Sequence, residues 1–320
     1  MTRPTAAHAV TPAIALRTPQ ALAAGLPHLL GFHPDESLVC VWMLGNEVVV
    51  VQRADLPMTD IDKRYIEAYF ACASNIAADE VMVVCITRRT GVGEQTIEHV
   101  TEWLGQQVDV GLRGALIVCG SRVRDLAGEW QWVSSYDRQR AACAFDTDMS
   151  SSPVQRSRAD VAREVDFDDH VPVVPQDPHA ESATGLDGLR DILADGRWTA
   201  VAARRALRAG ASSVRGRDLV IWWCATCDIP KRRELLRALL AGLRTTPPGS
   251  VAELACAAAA VAWMCGDGVR SNAALNRCLE EDPGNTMGRM LESAISTALA
   301  PADFARMIAE VPPGDVGADA

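Results

Sequence analysis

Apolar and polar positions alternate in two different rhythms along the chain. Ser37 to Leu44 is a nearly continuous apolar run, Gly45-Asn46 follows, and a second β-rich run extends from Glu47 to Arg53. Two such runs joined by Gly-Asn predict a hairpin in which Gly45 supplies the positive φ of a type II′ turn. Ahead of it, Thr18-Pro19 opens a short helix with Thr as N-cap and Pro at the first helical position. Leu22, Leu26 and Leu29 give that helix one apolar stripe, and Gly31 and Pro34 stop it. Pro57 ends the second strand. Asp60 and Asp62 fit the first turn of a further helix, marked by Ile61, Tyr65, Tyr69, Cys72 and Ile76. Val81–Thr87 and Gly114–Cys119 read as buried strands, Ile97, Val100 and Leu104 as a helix between them, and Trp130-Gln131-Trp132-Val133 as an edge strand. The order α-β-β-α-β-α-β-β predicts a layered α/β (α+β) domain with a mixed sheet, because its opening pair is antiparallel.

The rhythm then changes. Residues 144–181 hold nine acidic and three basic residues and four prolines, with a short helix expected around Arg156–Val165. From about residue 184 every periodic segment is helical: Leu186–Leu193, Thr199–Ala209, Arg217–Cys227, Lys231–Leu243, Ser250–Cys265, Ser271–Glu281, Thr286–Leu299 and Pro301–Ile308. Ser250 with Glu253 has capping-box spacing. Trp263, Gly266, Ala274, Leu279 and Pro283 match the spacing of one tetratricopeptide-like hairpin, and one unit is not an array. The predicted organisation is a mobile tail 1–17, an α/β domain 18–143, an acidic proline-containing linker 144–183, a helical domain 184–311 and a disordered tail 312–320.

Composition narrows the possibilities. Aromatics make up only 5% of 320 residues, so the core must be built from Ala, Val and Leu. A net charge of -10 leaves no global basic field for nucleic acid or anionic lipid. No apolar run reaches the ~20 residues that span a bilayer. The ten cysteines are scattered, most within apolar segments, which fits a reducing cytoplasm.

The segment Leu22–Val39, LAAGLPHLLGFHPDESLV, resembles the opening signature of the actinobacterial domain of unknown function 4192 family, LPxLLGFxPxxSLV. Arg53-Ala54-Asp55-Leu56-Pro57 is similar to the RxDLP element of that family. Ala262-Trp263 through Gly266-Asp267-Gly268, Ala273-Ala274-Leu275 and Asp282-Pro283 resemble its ending. The resemblance implies a fold and an actinobacterial or actinophage host, without an established chemistry. Members commonly carry an adjacent cysteine pair followed by proline; this chain has Ala142-Cys143-Ala144, so an activity needing that pair is not expected.

Several polar groups are candidate sites. His33, Asp35 and Ser37 could act as base, orienting group and nucleophile, but their closeness in sequence favours a turn in which Asp35 and Ser37 bond their own backbone. Arg53 and Asp55 share a strand face and either bind a ligand or pair with each other. Arg88, beside Arg89 and ahead of Gly91-Val92-Gly93, is a candidate anion ligand, although Thr96 stands where a dinucleotide loop has its third glycine. Cys224-Ala225-Thr226-Cys227 is a lone CxxC near the end of an apolar helix, the wrong context for redox or zinc chemistry. Arg197, Arg204, Arg205, Arg208, Arg215 and Arg217 form a local basic cluster without interleaved aromatics, which reads as a solvated face.

No catalytic, metal or cofactor constellation is complete, so no cofactor or metal is expected. This favours a non-catalytic regulatory or adaptor protein that binds a protein partner. The alternative is a hydrolase or nucleotide-binding enzyme with its site at the N-terminal strand ends, near Ser37, Arg53 and Arg88. The acidic balance argues against a nucleic-acid partner, and the hydropathy against a membrane. Oligomeric state is not set by the sequence.

Overall fold

The computed structural model describes residues 18–56, 63–107, 110–126, 128–146, 154–168, 170–171, 186–196, 198, 207–209 and 211–316. The chain divides into two compact units, Met1–Val154 and Gln155–Ala320. The predicted tail 1–17, Pro57, Asp60, Ile61 and Asp62, the stretch 172–185, and Arg197, Arg204 and Arg205 lie outside the described residues.

The first unit runs α1 (Pro19–Leu30), β1 (Ser37–Leu44), β2 (Glu47–Asp55), α2 (Lys63–Tyr69), β3 (Glu80–Ile86), α3 (Thr90–Gln107), β4 (Gly111–Cys119), β5 (Arg122–Asp125), β6 (Gln131–Trp132) and α4 (Ser135–Asp146). The sheet order is β2-β1-β3-β4-β5-β6. Only β3 and β4 are parallel, because α3 crosses between them and returns the chain to the same end. The other neighbours are antiparallel, giving the mixed sheet the pattern predicts. Thr18 caps α1, Gly31 ends it at φ 76, and Gly45 turns the hairpin at φ 62.

Strand alternation assigns the faces. Trp42 of β1 meets Phe70 edge-on, and Phe70 stacks on Trp103 of α3, so Leu38, Cys40 and Trp42 face α2 and α3. The opposite face carries Ser37, Val39, Val41 and Arg53, and there the Arg53 guanidinium lies 5.7 Å from the Phe32 ring centroid. Both faces of β1 are buried, which is why its sequence reads as a continuous apolar run.

Two elements escape the sequence pattern. β5 has one apolar residue, Val123, between two arginines, too little for a strand signature. α4 has little apolar periodicity to mark it. The helix expected to reach Ile76 ends at Tyr69, with a 3₁₀ turn over Ala73–Asn75.

The second unit comprises α5 (Arg158–Ala162), α6 (Leu186–Asp195), α7 (Val214–Thr226), α8 (Ile229–Arg244), α9 (Ala252–Met264), α10 (Gly268–Glu281), α11 (Thr286–Ser296), α12 (Pro301–Ala309) and a 3₁₀ turn, Pro313–Val316. Its centre is α9, buried continuously from Leu254 to Ala262 among α7, α8 and α10. Its alanines let these neighbours approach closely, and they explain how a core forms with so few aromatics. α9 and α10 form the expected hairpin, in which Ala274 is buried and Ser271 Oγ donates to Ala259 O at 2.9 Å.

The capping box at Ser250 and Glu253 does not form. Val251 occupies the N-cap of α9, its N–H donates to Glu281 Oε1 at 2.7 Å, and Glu253 pairs with Arg217 instead. The electrostatic demand of a buried guanidinium outweighs a surface cap.

Part of the acidic stretch is built into this unit. Arg270, only 3% exposed, grips Glu164 through Nε (2.6 Å) and Nη2 (3.0 Å). Val165 is buried, and its carbonyl accepts from Arg277. At the other end of the unit, Trp222 Nε1 donates to Val311 O at 2.9 Å just before the 3₁₀ turn, so residues 313–316 have defined structure where a disordered tail is expected. No helix among the described residues is long and apolar enough to cross a membrane.

Candidate functional site

Because β1 runs antiparallel to both its neighbours, Ser37 at its start lies opposite Asp55 at the end of β2 and Ile86 at the end of β3. The topology therefore gathers His33–Ser37, Arg53–Asp55 and Thr87–Arg89 at one end of the sheet.

Two polar clamps form there. In the first, Arg53 donates to Ser37 Oγ through Nε (3.0 Å) and Nη2 (2.8 Å), and it pairs with Asp55. Ser37 Oγ in turn donates to Asp35 O at 2.7 Å. In the second, Glu36 accepts from Thr87 Oγ1 (2.8 Å), the Arg88 N–H (2.8 Å) and the Arg89 guanidinium (2.9 Å). Glu36 holds φ 39, a left-handed conformation costly for a residue with a Cβ. Burial pushes its carboxyl up, but the Arg88 N–H, the Thr87 hydroxyl and Arg89 outweigh burial and hold it below the ordinary value.

These clamps determine what the candidate residues can do. Ser37 is buried, with its proton directed to a backbone carbonyl and its lone pairs facing a cation. No hydrogen bond joins His33 to Ser37 or Asp35, and both His33 and Asp35 are exposed. A nucleophile–base couple therefore does not assemble. Gly91-Val92-Gly93 belongs to the first turn of α3 and is not a phosphate-cradling loop. The approach to that helix start is held by Glu36, a carboxylate from the chain itself. The Arg88 side chain is exposed, while its N–H is engaged by Glu36.

The other candidates are engaged in packing. Burial pushes the Cys224 thiol well above its usual range and Cys227 up to about 11, the opposite of a reactive CxxC. Arg232 donates to the carbonyls of Cys224, Cys227 and Ala225, capping the end of α7. Of the described members of the basic cluster, Arg215 is exposed, Arg208 bonds Thr245, and Arg217 is buried against Asp218 and Glu253. Cys143 is an exposed free thiol on α4.

A different surface stands out at the far edge of the sheet. Val123 and Gln131 face α1, shown by the Gln20–Gln131 hydrogen bond, so Arg122, Arg124 and Trp132 share the α3 face. Arg124 confirms this by pairing with Glu94 of α3. Two guanidiniums lie over the Trp130 ring, Arg122 at 5.2 Å and Arg124 at 5.1 Å from its centroid. Trp132 is 70% exposed, and Tyr136, beneath Arg140, is 66% exposed. The readable signal was the matched alternation of Arg122-Val123-Arg124 and Trp130-Gln131-Trp132, which puts arginine and tryptophan on one face once the two segments pair.

A mixed-sheet α+β unit joined to an all-helical unit, with no assembled catalytic constellation among the described residues, defines the class. The chain belongs to the family described as domain of unknown function (DUF4192), whose model matches residues 19–302. No curated protein and no solved structure matches it.

Proposed function

We propose that the protein is a non-catalytic regulatory or adaptor protein whose α/β unit docks a protein partner at the β5–β6 edge. The observation that carries this reading is the exposure of Trp132 on the strand face that carries Arg122, Arg124 and Trp130, with exposed Tyr136 at the start of the adjoining α4. Trp, Tyr and Arg are the residues that dominate binding energy at protein interfaces. In a chain with 5% aromatics, leaving two of the largest side chains in water without a partner is costly. The hydrolase or nucleotide-binding alternative needs a free Ser37 or an open start of α3, and Arg53 and Glu36 hold these. A reducing, cytoplasmic setting in an actinobacterial or actinophage host accords with ten free thiols and with 29 arginines against two lysines.

The test is selection of random displayed peptides on the immobilised full chain. Enriched peptides should lose about tenfold or more in affinity for a Trp132→Ala/Tyr136→Ala variant of unchanged Tm. Failure to enrich any peptide, or equal binding by the variant, removes the reading.

A further inference from the structure

The outer edge of β6 has backbone groups to offer. Val133 N–H donates inward to Ser121 O at 2.8 Å, and Gln131 pairs with Val123. In an antiparallel ladder the residue between two inward-bonding positions turns its N–H and C=O the other way. That residue is Trp132, opposite Arg122, so the unpaired backbone edge and the exposed indole occur at one position. Ser134, whose N–H is taken by Asp137 Oδ2 at 2.9 Å, closes the edge where α4 begins.

On the face that carries Trp132, the basic group left without an acid among the described residues is Arg122. Arg124 is neutralised by Glu94, but among the described residues no carboxylate forms an ion pair with Arg122, Arg138 or Arg140. On α4, Asp137 is held by Ser134 and also attracts Arg138 and Arg140, while Asp125 of β5 lies on the opposite face of the sheet from Arg122.

We infer that the β6 edge receives an extended, acidic segment of the partner protein as an added strand, an inference that rests on the docking reading above. The incoming backbone pairs with the Trp132 N–H and C=O, as in strand addition to any open sheet edge. Its side chains then alternate, and the set on the Trp132 face lies against the indole and brings flanking carboxylates to Arg122. A single nucleic-acid strand could stack on the same indole, but it has no alternating amide N–H and C=O to pair with the β-edge.

The experiment takes the peptides selected on the full chain and reads three things. Acidic residues should recur at alternate positions. Affinity should fall about tenfold or more with Arg122→Glu and survive Arg122→Lys. N-methylation of the peptide's edge-pairing amides should abolish binding while leaving its side chains in place. Enriched peptides without an acidic pattern, or binding indifferent to N-methylation, overturn the inference and leave the docking reading intact. Oligothymidylate binding more tightly than the selected peptides overturns it in favour of single-stranded nucleic acid. If no peptide is enriched, both fall.

Discussion

The guanidinium of Arg53 meets Ser37 Oγ, the Asp55 carboxylate and the Phe32 ring, and its side chain is 11% exposed. Truncation removes the donors to a buried hydroxyl and the partner of Asp55, and opens a gap over an aromatic ring. Arg53→Ala should therefore lower unfolding free energy by ~1 to 3 kcal/mol, measured by chemical denaturation. A stable variant that no longer binds the selected peptides would instead move the functional site to this strand end. Glu36 makes a pH-dependent contribution. Its folded pKa lies below the ordinary 4.5, so its stabilisation is present above the unfolded value and is lost as pH falls through the folded one. Tm should begin to fall as pH drops below about 4.5, and Glu36→Gln should flatten part of that acid limb. A variant with an acid limb identical to wild type would show that the clamp carries no stability.

Helix α3 lies against the sheet through Gly93. A Cβ there would stand 3.1 Å from Thr87 Cγ2 and 3.2 Å from Ile117 Cγ2. Both neighbours are β-branched and stiff, so neither yields easily. Gly91, two residues earlier in the same helix, has nothing within 4 Å of the same position. Gly91→Ala should stabilise by up to about 1 kcal/mol, through helix propensity and a less flexible unfolded chain. Gly93→Ala should destabilise by about 1 kcal/mol, overpacking outweighing the same propensity gain. Opposite signs for two glycines so close together, read by thermal or chemical melts, would show that the second is required for packing. Equal signs would show that α3 can lift off the sheet.

In the helical unit, Arg270 ties residues near Glu164 to α10 from a buried position. Arg270→Met leaves Glu164 and Asp267 without their cation and should cost about 3 to 5 kcal/mol. Limited proteolysis should spare residues 156–168 in the wild type and cut there in the variant. Protection in both would mean that Val165 and Arg277 hold the segment unaided. The ten thiols are free, so a reductant should leave Tm unchanged. A clear drop would reveal a bridge.

The local pattern of the chain determined its elements wherever one physical signal dominated. The Gly45 hairpin, the Thr18 cap, the apolar β1 and β3, and the helical second half follow from backbone preference and periodicity, which act over a few residues. The same signals place Ser37, Arg53 and Asp55 on particular strands. Only the tertiary structure decided their chemistry, because hydrogen-bond partners come from distant strands. Ser37 became a held hydroxyl when β2 brought Arg53 to it, and Glu36 became the anion at α3 when β3 ended beside β1. β5 and α4 were illegible because their sequences carry too few apolar residues for periodicity to register. Glu253 follows a capping spacing yet pairs with Arg217, since a buried charge claims its partner regardless of sequence distance. The Arg–Trp face exists only after β5 and β6 pair, when two short alternations 8 residues apart from Arg122 to Trp130 fall into one phase.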